Sequence, residues 1–402
     1  MERGGIFVAL RGPKLDGHSF IPEILSRRPL AIILEKGREA LTKDAPEVLA
    51  IAVTDTDEAH RLLAAAFRRK LAGPVVAIAG SNGKTTTKSC LAHLVTGQYR
   101  YVVTQGSQNG WQGIPKTWEQ VRPDSEGAIL EIGIDAPGFM EQYARLNRPD
   151  IAIVTSIGEE HMAHFQGLQQ IFEEETLILR DTLARGGWGI VPRDDEWLSQ
   201  LPDHPRLLRV TPEDGARWDW THPYPHHLQN AAMAVAAARL IGLQPEQIRE
   251  RLQSFELPDG RGQLWALRPD LWIIADHYNA NPTSMLASLE SAGPWAQSKG
   301  LPLHLVLGDM LDLGDHSSAA HEDLAHRLPN LADGEITLIG PEFFQATQDL
   351  STLSRIKRYA RAEELQVYRK QLFQKAGVYL VKASRGMRLE QFLPQHPTTK
   401  DH

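Results

Sequence analysis

The chain has 402 residues with 43 lysines and arginines against 50 aspartates and glutamates, a net charge of −7. No broad positive field exists to hold nucleic acid or an anionic membrane, so any phosphate site has to be local. No apolar run reaches the roughly 20 residues that span a bilayer, and the start MERGGIFVALRG lacks the apolar core of a signal peptide, which predicts a cytoplasmic, multidomain enzyme.

In chain order, FVALRGPKLDGHSF and a helical stretch from His60 to Lys70 predict a small α/β unit over residues 1–72. Short β-rich apolar runs then alternate with helical patterns: VVAIAG followed by a helix from Thr85 to Val95, then GAILEIGI, IAIVTSIG and WGIVP. This rhythm predicts a parallel sheet covered by helices over residues 73–260, with ligands at the carboxyl ends of its strands. EQIRERLQSFELPDGRG (246–262) reads as a helix ending in a proline and glycine turn, and LWIIAD, LHLVLGD and VYLVKAS predict another such sheet over residues 261–402. The single cysteine, Cys90, excludes an internal disulfide and a cysteine metal cluster, and reads as packing before chemistry.

VVAIAGSNGKTTTKS (75–89) gives a strand, a glycine-rich turn and a helix start. Glycines let backbone N–H groups converge on phosphate oxygens, the helix amino end adds partial positive charge, Lys84 adds a full one, and Thr85 offers a hydroxyl to magnesium. The general phosphate-loop pattern wants glycine where Ile78 stands, so a plain glycine turn with an exposed lysine is the competing reading.

The shorter form Gly80, Gly83, Lys84, Thr85 and Thr86 resembles the ATP loop of the Mur ligase family. Other segments are similar to that family in its own order: SQNGWQGIP (107–115), LEIGIDAPG (130–138), TSIGEEHMAHF (155–165), HHLQNAAMAVAAA (226–238), DHYNANPTSM (276–285), LGDMLDLG (307–314) and KASRGM (382–387). They cover nearly the whole chain and most resemble the branch that adds D-alanyl-D-alanine in peptidoglycan precursor synthesis. The resemblance implies a three-domain α/β architecture: a shortened N-terminal substrate domain, a central P-loop-type ATPase domain and a C-terminal Rossmann-like domain that closes the cleft. It also implies an ATP-dependent, ADP-forming ligase that turns a small-molecule carboxylate into an acyl phosphate for attack by an amino acid or dipeptide amine. ATP and Mg2+ are the implied cofactors, and no nucleic-acid or membrane partner and a monomeric state are expected.

Carried over by position, the resemblance puts Gly80, Ser81, Asn82, Gly83, Lys84, Thr85 and Thr86 around the phosphates. Thr85 and Glu131 would hold one magnesium, and His161 would help hold a second. Asn230 matches an adenine contact, Asp276 a ribose contact, and Arg261 an arginine that reaches the phosphates on closure. Asn109, Tyr278, Asn279, Asn281, Lys382, Ser384 and Arg385 would line the substrate side of the cleft. Each has a plainer reading: a strand-end carboxylate for Glu131, a loop histidine for His161, a helix cap for Asn230, a solvated turn residue for Arg261, and turn chemistry for the two clusters.

Departures from the family concentrate in a few places. Counting fourteen residues from His161, where the family uses a lysine carboxylated by carbon dioxide, lands on Glu175, followed by Thr176 and Leu177 instead of glycine and glutamate. Glu175 either orients magnesium directly, weakens the site, or faces solvent in an acidic helix turn. Ser107 and Gly110 stand where asparagines are expected, His227 replaces an asparagine, and the stretch expected near a uridine nucleotide has no counterpart. Two other functions stay open: a small-molecule kinase or NTPase, from the phosphate loop alone, and a non-catalytic ATP-binding relative, from Glu175 and the shortened front.

Overall fold

The computed structural model describes residues 4–12, 15–134, 136–159, 164–349 and 354–395. It contains three sheets. The first is small and parallel, with β1 (Ile6–Val8), β2 (Ala31–Glu35) and β3 (Leu49–Val53) in that order over a core of Ala9, Ile21, Ile32 and Leu34. The helix after it starts at Thr56, a turn earlier than the sequence predicts, because the Asp55 carboxylate accepts the Asp57 and Glu58 N–H groups.

The second sheet is six-stranded and wholly parallel: β4 (Val75–Ala79), β5 (Tyr101–Val103), β6 (Gly127–Glu131), β7 (Ile151–Val154), β8 (Trp188–Pro192) and β9 (Leu207–Val210), in the order β5-β6-β4-β7-β8-β9. Side-chain alternation explains its continuous apolar runs. Val75, Ala77 and Ala79 face one core with Leu130, Tyr143 and Leu179, while Val76 and Ile78 face a second core with Cys90, Leu91 and Met233. Ile78, where a glycine was wanted, is thus a core residue. Cys90 is fully buried, and burial pushes its thiol far above the ordinary range, so it packs.

The third sheet is also six-stranded: β10 (Gln263–Arg268), β11 (Leu271–Asp276), β12 (Leu303–Gly308), β13 (Ile336–Ile339), β14 (Ile356–Tyr359) and β15 (Gly377–Lys382), in the order β10-β11-β15-β12-β13-β14. Only the β10 and β11 pair is antiparallel. The chain enters it through the turn at Gly260, Arg261 and Gly262, where both glycines adopt positive φ. In both large sheets the strand order reverses direction in the middle, at β4 and at β15, and the carboxyl ends there face a shared cleft. Among the described residues, no helix is long and apolar enough to cross a membrane.

Candidate active site

The phosphate loop leaves β4 at Ala79 and enters the helix Lys84–Val95. Gly80 has φ +111°, and a Cβ there would lie 2.5 Å from the Thr155 hydroxyl; Gly83 has φ +91°, and a Cβ there would lie 2.5 Å from Asn230 Oδ1. Both glycines are therefore demanded by conformation and by space. The end of β7 holds the loop: the Ser81 N–H donates to the Ser156 carbonyl (2.9 Å) and the Asn82 N–H to the Ser156 hydroxyl (3.0 Å). Lys84 arches over the turn to the Gly80 and Ser81 carbonyls. Glu175, on helix Leu168–Ala184, is fully buried and its Oε2 accepts the Gly80 N–H at 2.8 Å, which removes the solvent-facing reading.

Glu131, at the end of β6, is 2% exposed. Its Oε1 accepts the Thr85 hydroxyl (3.1 Å) and the Asn109 amide (2.9 Å), and its Oε2 lies 2.9 Å from the Lys88 ammonium, which also donates to the Gly106 carbonyl. Asn109 thus braces Glu131. Asn230 is not a cap: its helix, Pro225–Ile241, starts after Tyr224, and Asn230 lies buried in the second turn against Gly83.

The third sheet supplies the opposite wall. Arg261 is not a solvated turn residue; its Nη2 donates to Thr85 Oγ1 at 3.1 Å and its guanidinium lies 3.9 Å from the centre of the Tyr278 ring. Burial lowers its pKa while Glu131, Tyr278 and Asp276 oppose that shift, and an arginine keeps its charge at neutral pH. Asn281 caps helix Pro282–Ser298 through the Ser284 N–H and sends its amide to Asn82 Oδ1 at 3.0 Å, so it serves turn and cleft at once. Ladder register sets Lys382 opposite Asp276, and the ammonium donates to Asp276 Oδ2 at 2.7 Å and to the Asn279 carbonyl at 3.1 Å. Ser384 donates to the Ala280 carbonyl and accepts the Leu311 N–H, while Arg385 pairs with Glu390 and lies 5.5 Å from the Tyr278 ring centre. Those last two brace the cleft wall.

Two cavities share this cleft. One, of about 370 Å³, runs from Asn82, Gly83 and Thr86 past Asn230 to Asp276, Lys382 and the helix Pro282–Ser298. The other, of about 260 Å³, is lined by Lys84, Thr85, Asn109, Glu131, Tyr278 and Asn281 among others. Asn82, Gly83, Arg261 and Asn279 border both. Lys382 faces the first cavity and not the second, so it does not sit with Tyr278 and Asn281. His226 and His227 line the first cavity, and burial pushes the pKa of His226 down to about 4 and that of His227 well below its usual value. The neighbouring His222, whose Nε2–H donates to the Gly262 carbonyl at 3.3 Å, is pushed down to about 3, again mainly by burial.

Known proteins are similar to this chain along nearly its whole length. The family model for the Mur ligase middle domain matches residues 78–221, and that for the Mur ligase, glutamate ligase domain matches residues 260–385. The UDP-N-acetylmuramoyl-tripeptide–D-alanyl-D-alanine ligase of Treponema pallidum (strain Nichols) is 30% identical, with 97% of this chain and 90% of the relative covered. That of Bacillus subtilis (strain 168) is 29% identical over 98% and 90%. This chain belongs to the Mur ligase family. The crystal structure of MurF from Acinetobacter baumannii superposes with a TM-score of 0.81 at 26% identity, covering 97% of this chain and 90% of that one.

As a Mur ligase the chain is an enzyme that joins two substrates, and its cleft can be tested for magnesium. Thr85 Oγ1 and Glu131 Oε1 are 3.1 Å apart, close to the roughly 3.0 Å between adjacent ligands of an octahedral magnesium with ~2.1 Å bonds. A loop hydroxyl and one carboxylate would leave such an ion's other ligands to phosphate and water. His161 lies outside the described residues. Two groups escaped sequence reasoning. Lys88 is one helical turn beyond Lys84 on the same face, a spacing that signals a second inward lysine. The histidines at 222 and 226 were not singled out, because the groups they meet across the cleft, the Gly262 carbonyl for His222 and the Asp276 charge for His226, come from the next unit.

Proposed function

We propose that this Mur ligase uses ATP to join the free carboxylate of a UDP-N-acetylmuramoyl-tripeptide to the amine of D-alanyl-D-alanine, releasing ADP and phosphate, and acts as a monomer. A carboxylate is a poor electrophile because oxide would have to leave. Attack of a carboxylate oxygen on the γ-phosphorus forms an acyl phosphate while the bond to ADP breaks. The amine nitrogen then attacks the acyl carbon, phosphate departs, and the nitrogen loses a proton as the amide forms.

The observation that carries this reading is the double approach to Thr85: Glu131 reaches its hydroxyl from the second sheet and Arg261 from the third, both at 3.1 Å. A phosphoryl group carried by the loop would lie where the two cavities meet, within reach of charges from both walls. In this reading the larger cavity takes adenosine, with Asn230 beside the base and Asp276 beside the ribose. The smaller cavity takes the reacting carboxylate and amine, against Tyr278, Asn279 and Asn281. Thr85 and Glu131 would hold magnesium, which supplies charge neutralisation to the phosphate oxygens. Lys84 and Arg261 add fixed positive charge where negative charge builds on transfer. Glu175 fixes Gly80, and through it the direction of the first loop N–H groups.

The test is incubation of the purified protein with magnesium ATP, UDP-N-acetylmuramoyl-tripeptide and D-alanyl-D-alanine, with phosphate release measured and products weighed by mass spectrometry. Expected are release that requires both substrates and a product one water lighter than their sum. Lys84→Ala should lower kcat on the order of 10³-fold, and chelation of the metal should stop turnover reversibly. Release without a coupled product would overturn the assigned substrates.

A further inference from the structure

We propose that the second unit carries a separate binding site for a soluble amphipathic anion, one acidic group on an apolar body, in a cavity of about 670 Å³ between β8, β9 and the helix Pro225–Ile241. It shares no lining residue with either cavity of the cleft. Its size falls within the roughly 300 to 1,000 Å³ usual for small-molecule sites.

The floor is where one of the two cores reaches the surface without a cover. Val210 and Val235 are buried core members, and Trp188, Leu208, Trp218 and Leu240 pack against them half-buried. A chain of net charge −7 places four arginines around this apolar floor, Arg209, Arg217, Arg239 and Arg249, with Asp214 as the one acid in the lining. Three of these arginines are tethered: Arg209 donates to the Leu198 and Leu201 carbonyls, Arg217 pairs with Asp214 at 3.2 Å, and Arg249 pairs with Asp219 at 3.0 Å. Arg209 also lies 3.8 Å from Asp203, so three of the four guanidinium groups are fixed on the rim beside a carboxylate and Arg239 carries the unmatched positive charge. The guanidinium of Arg239, exposed in the last turn of its helix, makes no hydrogen bond or ion pair among the described residues, so its fork is available to a carboxylate, sulfonate or phosphate. Arg249 also lies over Trp218, 5.6 Å from the ring centre, which holds that indole in place as a flat apolar wall. A neutral apolar ligand would leave the rim charge unused, and a hydrophilic anion would leave the floor wet. Only a molecule that has both parts satisfies the whole lining.

The probe is anilinonaphthalene sulfonate, titrated into the full chain with saturating magnesium ATP to keep the cleft occupied, and followed by its fluorescence. The neutral phenylnaphthylamine is the control. Expected are saturable binding of the sulfonate at one site, binding of the neutral compound at least about tenfold weaker, and a loss of about fivefold in affinity for Arg239→Glu. Arg239 is exposed, so this variant tests the site without disturbing the core; Trp218→Leu, with an unchanged thermal midpoint, should also weaken binding. Equal binding of the two compounds, or sulfonate binding unchanged in both variants, would overturn the proposal.

Discussion

Each half of the cleft carries a buried lysine on a strand-end carboxylate, yet the two pairs are built and used differently. Lys88 reaches Glu131 from the phosphate-loop helix, a contact made by packing a helix across a strand end. Lys382 meets Asp276 because β15 and β11 place them side by side in the ladder. Glu131 keeps its Oε1 turned to Thr85 and Asn109, inside a shell of protein donors. Asp276 has Oδ2 taken by Lys382 and Ser288, while its Oδ1 makes no hydrogen bond among the described residues and the residue borders the larger cavity. The first pair thus holds a carboxylate for an ion within the loop wall; the second holds one for a ligand that arrives in the cavity.

That difference has a measurable consequence. Removing one partner of a buried pair strands the other charge, at a cost of about 3 to 5 kcal/mol. Lys88→Met should fall in that range in urea denaturation, because Glu131, 2% exposed, only touches the edge of the smaller cavity. Lys382→Met should cost about 1 to 2 kcal/mol less, since Asp276 opens to the cavity and keeps the Ser288 hydroxyl. Equal losses would break the comparison.

A smaller effect separates binding from closure. Arg261 touches Thr85 only because the third sheet lies against the second. Arg261→Ala should lower kcat about 10²-fold with little change in the affinity for ATP alone, and should reduce the compaction that ATP and substrate produce in solution scattering. A variant that lost ATP affinity and kept kcat would assign Arg261 to the open, nucleotide-binding wall.

How much of this was legible in the sequence follows the same division. The loop half was readable residue by residue: Gly80, Gly83, Lys84 and Thr85 lie in one continuous strand, turn and helix, whose geometry local rules dictate. Glu131 was readable as a strand end. Lys88 was missed because its partner is 43 positions away, on another strand. On the opposite wall, composition and turn propensity favoured a solvated Arg261 and turn roles for Asn279 and Asn281, and only the resemblance pointed into the cleft. The reason is physical: those side chains acquire partners from a different unit, and a local pattern carries no information about which surface will be brought against it. The division of labour between Lys382 and Tyr278 likewise depended on the β11 and β15 register, which the apolar runs alone do not set.

The histidines sharpen the point, since their properties belong to neither half alone. His226 is held neutral in the fold with a pKa near 4, against 6.5 for a free imidazole, and His222 near 3. The unfolded chain therefore binds protons that the fold refuses. Stability should be at its full value above about pH 6.5 and fall as the pH drops toward 4, with His226 contributing up to roughly 3 kcal/mol of that loss. Urea midpoints for His226→Gln should show a shallower decline across that window than the parent chain, and identical slopes would mean that the imidazole reaches water in solution.

The smallest predicted effect concerns Glu175. Its carboxylate takes the Gly80 N–H in a place with no access to solvent. Glu175→Ala leaves that N–H buried without its acceptor and should cost about 1 to 3 kcal/mol, while Glu175→Gln retains an amide oxygen in the same position and should cost less. Activity then separates position from charge. If the glutamine variant keeps both stability and turnover, Glu175 acts by placing Gly80 alone. If it folds as well as the parent and turns over slowly, the negative charge itself is required beside the loop.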